Sequence, residues 1–137
     1  MNLEKFVAVS GMPGLFKLVA NRNNGLILED LSSGKRNFVP SRGNQFTPLG
    51  TIGIYTNDGD STELKIVFQN MLDRLKDLPP VEINADHDAL RSYFAQILPE
   101  YDRDKVSIGD IKKTIKWFSF LNERNLLAAE VAKEEEE

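Results

Sequence analysis

The sequence contains no cysteine, and this absence excludes several kinds of chemistry at once. Without thiols the chain has no disulfide, no thiolate nucleophile and no thiolate ligand for a metal. Histidine is nearly absent as well, since His87 is the only one. A catalytic histidine needs a partner within reach, and no convincing serine accompanies His87. We therefore interpret His87 as a surface residue in the first turn of a helix.

Long apolar runs are also missing. No stretch approaches the ~20 apolar residues that a membrane-spanning helix requires, and the N-terminal MNLEKFVAVSGMPG does not resemble a secretory leader. The net charge is only −4 and 41% of the residues are apolar, which is unlike a strongly basic DNA-binding protein or a disordered chain. We expect an ordered cytoplasmic protein with no membrane contact.

Residues 1–58 consist of short apolar segments separated by turns. The turn signals GMPG, NRNNG and SSG recur about every ten residues, and the Asn24-Gly25 pair in the second of them predicts a hairpin with a left-handed turn. GMPG leads into a strand-like segment, so we interpret it as a turn and not as a phosphate-binding loop before a helix. Five short antiparallel strands, the last within 51–56, indicate an SH3-like or OB-like barrel, and we favour the SH3-like form.

From residue 60 to 126 the apolar residues recur at helical spacing. Asp60 with Glu63, then Asp86, and finally Ser107 with Asp110 each predict the N-terminus of a helix. The last segment, 127–137, finishes in glutamates and predicts a disordered acidic tail. The expected fold class is α+β, with a small SH3-like antiparallel β-barrel at 1–58 and a three-helix region at 60–126.

Three segments together resemble an uncharacterised bacterial family of unknown function, of the Bacteroidetes type. They are SGMPGLFKLV near the start, IGIYT in the middle and LPEYDRDKVSIGDIKKTIKWFSFL near the end. The resemblance covers about residues 3 to 122, and the last segment is its most specific part. Phe118 departs from the pattern, in which a tyrosine is expected after the tryptophan. The resemblance implies a barrel-like N-terminal part and a helical C-terminal part, and it implies no activity.

The carboxylates around the start of the third helix are candidate metal ligands. If Asp102 began a calcium loop, the sixth position would be glycine and the twelfth glutamate, but they are Ser107 and Lys113. We therefore interpret the segment as an ordered connection, in which Arg103 and Lys105 neutralise the aspartates. We expect no metal, no cofactor and no enzymatic activity.

The third helix offers one candidate binding surface. At 100° per residue, Phe120 lies opposite the core face, with a second aromatic residue and three cations beside it. Such a face suits a protein partner or single-stranded nucleic acid, and the alternative is that it packs against the barrel. The candidate residues on this helix are Lys113, Lys116, Trp117, Phe120 and Arg124.

The barrel offers a second candidate surface, formed by Lys17, Lys35 and Arg36. Barrel-type nucleic-acid modules place basic residues around exposed aromatics, although these cations could also be solvated charges without a partner. The leading hypothesis is a cytoplasmic binding or adaptor module with an unknown protein partner. Its rival is an RNA-binding or translation-linked protein, whose affinity would fall steeply with salt.

Overall fold

The computed structural model describes residues 1–136, and the chain divides into two units. The first unit is Met1–Ile52 and the second begins at Gly53. Strands and one short 3₁₀ turn, Leu49–Thr51, form the first unit, whereas the second combines a two-stranded sheet with four helices. The predicted α+β class is confirmed.

The first unit is an antiparallel sheet whose strands follow the spatial order β4-β3-β2-β1-β5. The strands are β1 (Phe6–Val9), β2 (Phe16–Arg22), β3 (Gly25–Asp30), β4 (Arg36–Pro40) and β5 (Phe46–Pro48). β4 and β5 form the two edges, and within residues 1–136 no strand pairing joins them. The antiparallel strands are thus present in an open sheet, and no closed barrel is found.

The predicted hairpin between β2 and β3 is confirmed, but with a different turn. Arg22 pairs with Gly25, so Asn23 and Asn24 form the two-residue connection. Neither asparagine has a positive φ, and Gly25 is the first residue of β3. Glycine is therefore required at position 25 because a side chain would clash with β4, and not because the backbone is left-handed there.

One face of this sheet carries a hydrophobic core cluster, as the strand period of two allows. Side chains at alternate positions of β1 to β4 pack together there, and three half-buried apolar side chains pack against them. The buried set is Val7, Val9, Phe16, Leu28 and Val39, and the half-buried set is Leu18, Leu26 and Phe46.

The strand predicted within 51–56 belongs to the second unit. β6 (Gly53–Tyr55) pairs with β7 (Ser61–Glu63) in a separate two-stranded sheet. The turn between them is held by the Asp58 carboxylate, which accepts hydrogen bonds from Thr56 Oγ1 (2.6 Å) and Asp60 N (3.1 Å). Asp60 therefore lies in a hairpin, and its prediction as a helix cap was wrong.

Within residues 1–136, four helices follow this hairpin: α1 (Leu64–Asp73), α2 (His87–Ile97), α3 (Ile108–Glu123) and α4 (Leu126–Glu136). The caps predicted for α2 and α3 are confirmed. Asp86 accepts from Ala89 N at 2.7 Å, and Ser107 and Asp110 form a reciprocal capping box. Among the described residues, none of the helices is long and apolar enough to cross a membrane.

Aromatic side chains fill the core of the second unit. The rings of Phe68 and Phe118 meet edge to face at 5.7 Å, and those of Phe94 and Tyr101 do so at 5.1 Å. Such pairs add about 0.5–1.5 kcal/mol to the stabilisation from buried area. α1, α2 and α3 contribute the first three of these rings, so this core joins all three predicted helices.

The segment predicted as a disordered tail contains α4, which also corrects the expected number of helices from three to four. Asn125 adopts a left-handed conformation (φ 58°) after α3 and redirects the chain, as asparagine does at helix ends. Leu127 and Glu130 are buried, and Lys133 Nζ lies 3.3 Å from Glu130 Oε2. The last residue of the predicted tail, Glu137, lies outside the described residues.

Candidate functional site

The face of the sheet opposite the core carries a row of charged side chains. In the strand register Glu29 lies between Lys17 and Arg36, all three on the same face. Arg36 Nε donates to Glu29 Oε1 at 3.1 Å, whereas Lys17 makes no ion pair within residues 1–136. The structure thus brings together two of the three cations predicted on the barrel and adds the carboxylate between them.

Phe38 lies on the same face of β4 and is 44% exposed, although it is a large apolar side chain. A methyl group at Gly25 would lie 2.8 Å from Phe38 Cζ, so the ring covers the space that the glycine leaves empty. An aromatic ring packed over a strand glycine is a known way to protect that backbone. Phe38 is therefore held in place while much of its ring stays accessible.

The backbone of β4 has a free edge on the side away from β3. Asp30 N donates to Lys35 O and Ser41 N donates to Asn24 O, both at 2.9 Å. Since alternate residues of an antiparallel strand face its partner, the N–H and C=O groups of Arg36 and Phe38 point away from the sheet.

The free edge of β4 ends at Pro40, which has no N–H to offer. The Pro40 carbonyl is already used, because it accepts a hydrogen bond from Asn44 Nδ2 at 3.0 Å. Within the described part of the chain no other strand covers β4. The available edge is therefore short and consists of Arg36 and Phe38.

Cations predominate around this edge, although Arg36 is paired with Glu29 of β3. From residue 31 to 52 the chain has no aspartate or glutamate, but it has Lys35, Arg36 and Arg42. Lys35 and Arg42 are exposed and form no side-chain ion pair within residues 1–136. We call Lys35, Arg36, Phe38 and Arg42 the β4 patch.

The residues predicted on α3 are placed differently. Lys113 and Lys116 are exposed, while Trp117, Phe120 and Arg124 are half-buried. The Arg124 guanidinium lies 3.6 Å from the centre of the Phe120 ring and donates to the Phe120 carbonyl at 2.9 Å. Arg124 therefore partly covers Phe120, and the two lysines are the fully exposed residues of this face.

The carboxylates near the start of α3 accept hydrogen bonds from backbone N–H groups. Asp102 accepts from the N–H groups of Asp104 (2.9 Å) and Lys105 (3.1 Å), and Asp110 accepts from Ser107 N. In the described range, no group of three or more acidic, histidine or cysteine side chains is arranged to hold a metal ion.

Two exposed aromatic residues were not among the predicted site residues. Phe38 could have been placed from the alternation of β4, because the inward position of Val39 puts its neighbour on the other face. Tyr55 is 52% exposed and lies 5.2 Å from Lys105 Nζ, a residue far away in sequence. No pattern in the local sequence predicts the contact between Tyr55 and Lys105.

Two family models cover most of the chain. One, a domain of unknown function (DUF5606), matches residues 3–49, and the other, a domain of unknown function (DUF6852), matches residues 52–121. The boundary between the two matches falls where the chain passes from the first unit to the second.

One solved structure is similar over nearly the whole chain. It is the solution NMR structure of a structural genomics target from Bacteroides vulgatus, which is 33% identical, with a TM-score of 0.70. The similarity covers 91% of this chain and 87% of that one. A search of curated proteins gave no match.

Proposed function

We propose that this chain, which belongs to the family of the domain of unknown function DUF6852, is a protein-binding module that acts through the β4 patch. The observation that carries the proposal is Phe38, which is 44% exposed on an edge strand and held over Gly25. Aromatic side chains that are already ordered before binding lose little entropy and are frequent anchors of protein interfaces.

The SH3-like description of the first unit belongs to the same proposal. The last strand, β5, returns to pair with β1, and β2 carries an irregularity between Leu18 and Ala20. A bulge bends a strand and increases its twist, which is how one strand contributes to both halves of a small barrel. These two features support an SH3-like arrangement that is open between β4 and β5.

A cytoplasmic location and the absence of catalysis are further parts of the proposal. The sequence has no cysteine, so the chain gains nothing from an oxidising compartment. The carboxylates of Asp102 and Asp110 already accept backbone hydrogen bonds, which is a structural use of these groups.

RNA binding through α3 is the second candidate function. It is favoured by Lys113 and Lys116, which are exposed one helical turn apart beside Trp117 and form no ion pair in the described part of the chain. Lysines in this arrangement can contact successive phosphates, and a half-buried aromatic ring can stack on a base.

Site-specific photocrosslinking in cells separates the two functions. Replacing Phe38 with p-benzoylphenylalanine is expected to give a covalent adduct with a protein, and nuclease treatment should leave that adduct unchanged. The same replacement at Asn23, an exposed residue of the β2–β3 turn, is the control and should give no such adduct.

Replacement at Lys116 tests the second candidate. An adduct at this position that disappears with nuclease would favour RNA binding through α3. If position 38 gives no protein adduct beyond the Asn23 control, the protein-binding proposal is wrong.

A further inference from the structure

We infer that the free edge of β4 takes up a short, extended, acidic segment of another protein as an additional strand. This inference rests on the proposed function and specifies the chemistry of the partner. Addition of a strand to a sheet edge supplies affinity through main-chain hydrogen bonds and selectivity through alternate side chains.

The backbone geometry supplies the first step. The outward N–H and C=O groups of Arg36 and Phe38 offer two donors and two acceptors to an incoming strand. At Pro40 the edge offers no N–H, and its carbonyl already accepts a hydrogen bond from Asn44 Nδ2. The partner segment can therefore pair only along β4, which has five residues. A long sheet-to-sheet association is excluded by the same proline.

Side chains on the outer face supply the second step. An added strand places every other residue on the face that carries Phe38 and Ile27, which are opposite each other in the register of β4 and β3. An apolar side chain at that position would cover the exposed part of the Phe38 ring, and cross-strand pairs with an aromatic residue stabilise a sheet. The segment should therefore contain at least one apolar residue.

The cations of the β4 patch indicate that the partner segment is acidic. Arg36 on the edge strand is paired with Glu29 of β3, but Lys35 and Arg42, which lie just before and just after β4, form no ion pair within residues 1–136. Carboxylates on the incoming strand would meet these cations directly. A second copy of this chain pairing through its own β4 would instead bring the same cations together, and such repulsion disfavours it.

The test uses two peptides in which valine alternates with either glutamate or lysine, EVEVEVE and KVKVKVK. In ¹⁵N–¹H NMR spectra, the glutamate peptide is expected to shift the amide signals of Arg36 and Phe38 and to slow their hydrogen exchange by about tenfold or more. The lysine peptide should do neither. Equal effects of both peptides, or no effect of the glutamate peptide, would overturn the inference.

N-methylation of the glutamate peptide distinguishes strand pairing from general charge attraction. Methyl groups on one set of alternate residues block the hydrogen bonds to β4, whereas methyl groups on the other set point away from it. One methylated peptide should bind as the parent does and the other should lose about tenfold or more in affinity. Equal binding of the two would contradict strand addition.

Variants of the protein provide the matching controls. Phe38→Pro removes an N–H that points away from β3, and it should abolish the exchange protection, while Phe38→Ala should weaken binding and keep the protection of Arg36. Lys35→Glu/Arg42→Glu should weaken binding about tenfold, in contrast to Lys76→Glu, an exposed lysine of the second unit. Spectra that retain the wild-type dispersion show that each variant is folded.

The two experiments fail in different ways. If position 38 crosslinks to a protein but the glutamate peptide does not bind, strand addition is wrong and the protein-binding function stands. If no protein is crosslinked, the proposed function itself is wrong. Protection of Arg36 and Phe38 by single-stranded RNA in place of the peptide would also overturn the inference.

Discussion

Phe38 and Phe118 show how differently the two units treat the same side chain. Phe118 is 1% exposed and meets Phe68 in a core to which several helices contribute, whereas Phe38 is 44% exposed on a sheet that buries its other face. A helix directs its apolar stripe toward the neighbouring helices, but a sheet presents two faces. The comparison therefore contrasts a ring that stabilises the helical core with a ring that the sheet leaves accessible to the proposed partner.

The largest expected effect comes from removing an aromatic ring in the helical core. Phe118→Ala should lower the free energy of unfolding by about 3–5 kcal/mol, because it removes buried area and leaves a cavity. Phe38→Ala should cost about 1 kcal/mol or less, since its ring is already partly in water. Urea unfolding followed by circular dichroism measures both, and Trp117 fluorescence gives a second probe on α3. Similar costs for the two substitutions would invalidate the comparison.

A smaller effect is expected at the two strand glycines, one in each unit. A methyl group at Gly25 would meet backbone atoms, including Pro40 Cα at 2.8 Å, which cannot move without disturbing β4. Gly25→Ala should therefore destabilise the protein by about 1–3 kcal/mol. At Gly53 the nearest atom is Ser61 Oγ at 2.8 Å, the end of a side chain that can rotate away. Thermal unfolding should show a clearly smaller loss for Gly53→Ala, and the reverse order would contradict this account.

The smallest effect concerns a buried hydroxyl of the second unit. Tyr93 Oη is buried and has no hydrogen-bond partner within residues 1–136, and its burial raises the pKa of Tyr93 to about 12. Tyr93→Phe removes this unsatisfied group and should stabilise the protein by about 1 kcal/mol at neutral pH. Tyr55→Phe, which removes an exposed hydroxyl, is the control and should change little.

The same residue predicts a dependence on alkaline pH. In the unfolded chain Tyr93 loses its proton near pH 10, whereas in the folded protein it keeps the proton to about pH 12. Ionisation of Tyr93 therefore does not affect the unfolding free energy well below pH 10 and lowers it as the pH rises from 10 to 12. The stability advantage of Tyr93→Phe over wild type, measured across this range, should accordingly increase. A constant difference would mean that Tyr93 is not buried as described.

Local chemistry was enough to predict several elements. The starts of α2 and α3 can be predicted from short segments of sequence. Their capping side chains, Asp86 and the pair Ser107 and Asp110, accept hydrogen bonds from backbone N–H groups only a few residues away. The β2–β3 hairpin is equally local, although Asn24 and not Gly25 occupies the turn. Such features depend little on the rest of the molecule, and this is why they could be predicted.

Other elements depend on partners that lie far away in the sequence. Thr56 pairs with Tyr101, and Asp102 N donates to Tyr55 O, which draws the strand after residue 52 into the second unit and away from the predicted barrel. Leu127 becomes buried in a segment whose glutamates favoured a solvated tail. On α3, Arg124 covers Phe120, a contact that helical spacing allows but does not require.

The sequence by itself determined the α+β class, the hairpin, the caps of α2 and α3 and the inner faces of α1 to α3, because these follow from periodicity and from contacts between near neighbours. Only the tertiary structure decided which strand pairs with which, that the sheet stays open between β4 and β5, and that Phe38 remains exposed over Gly25. Those outcomes depend on long-range pairing, where many registers satisfy the same alternation and packing selects one.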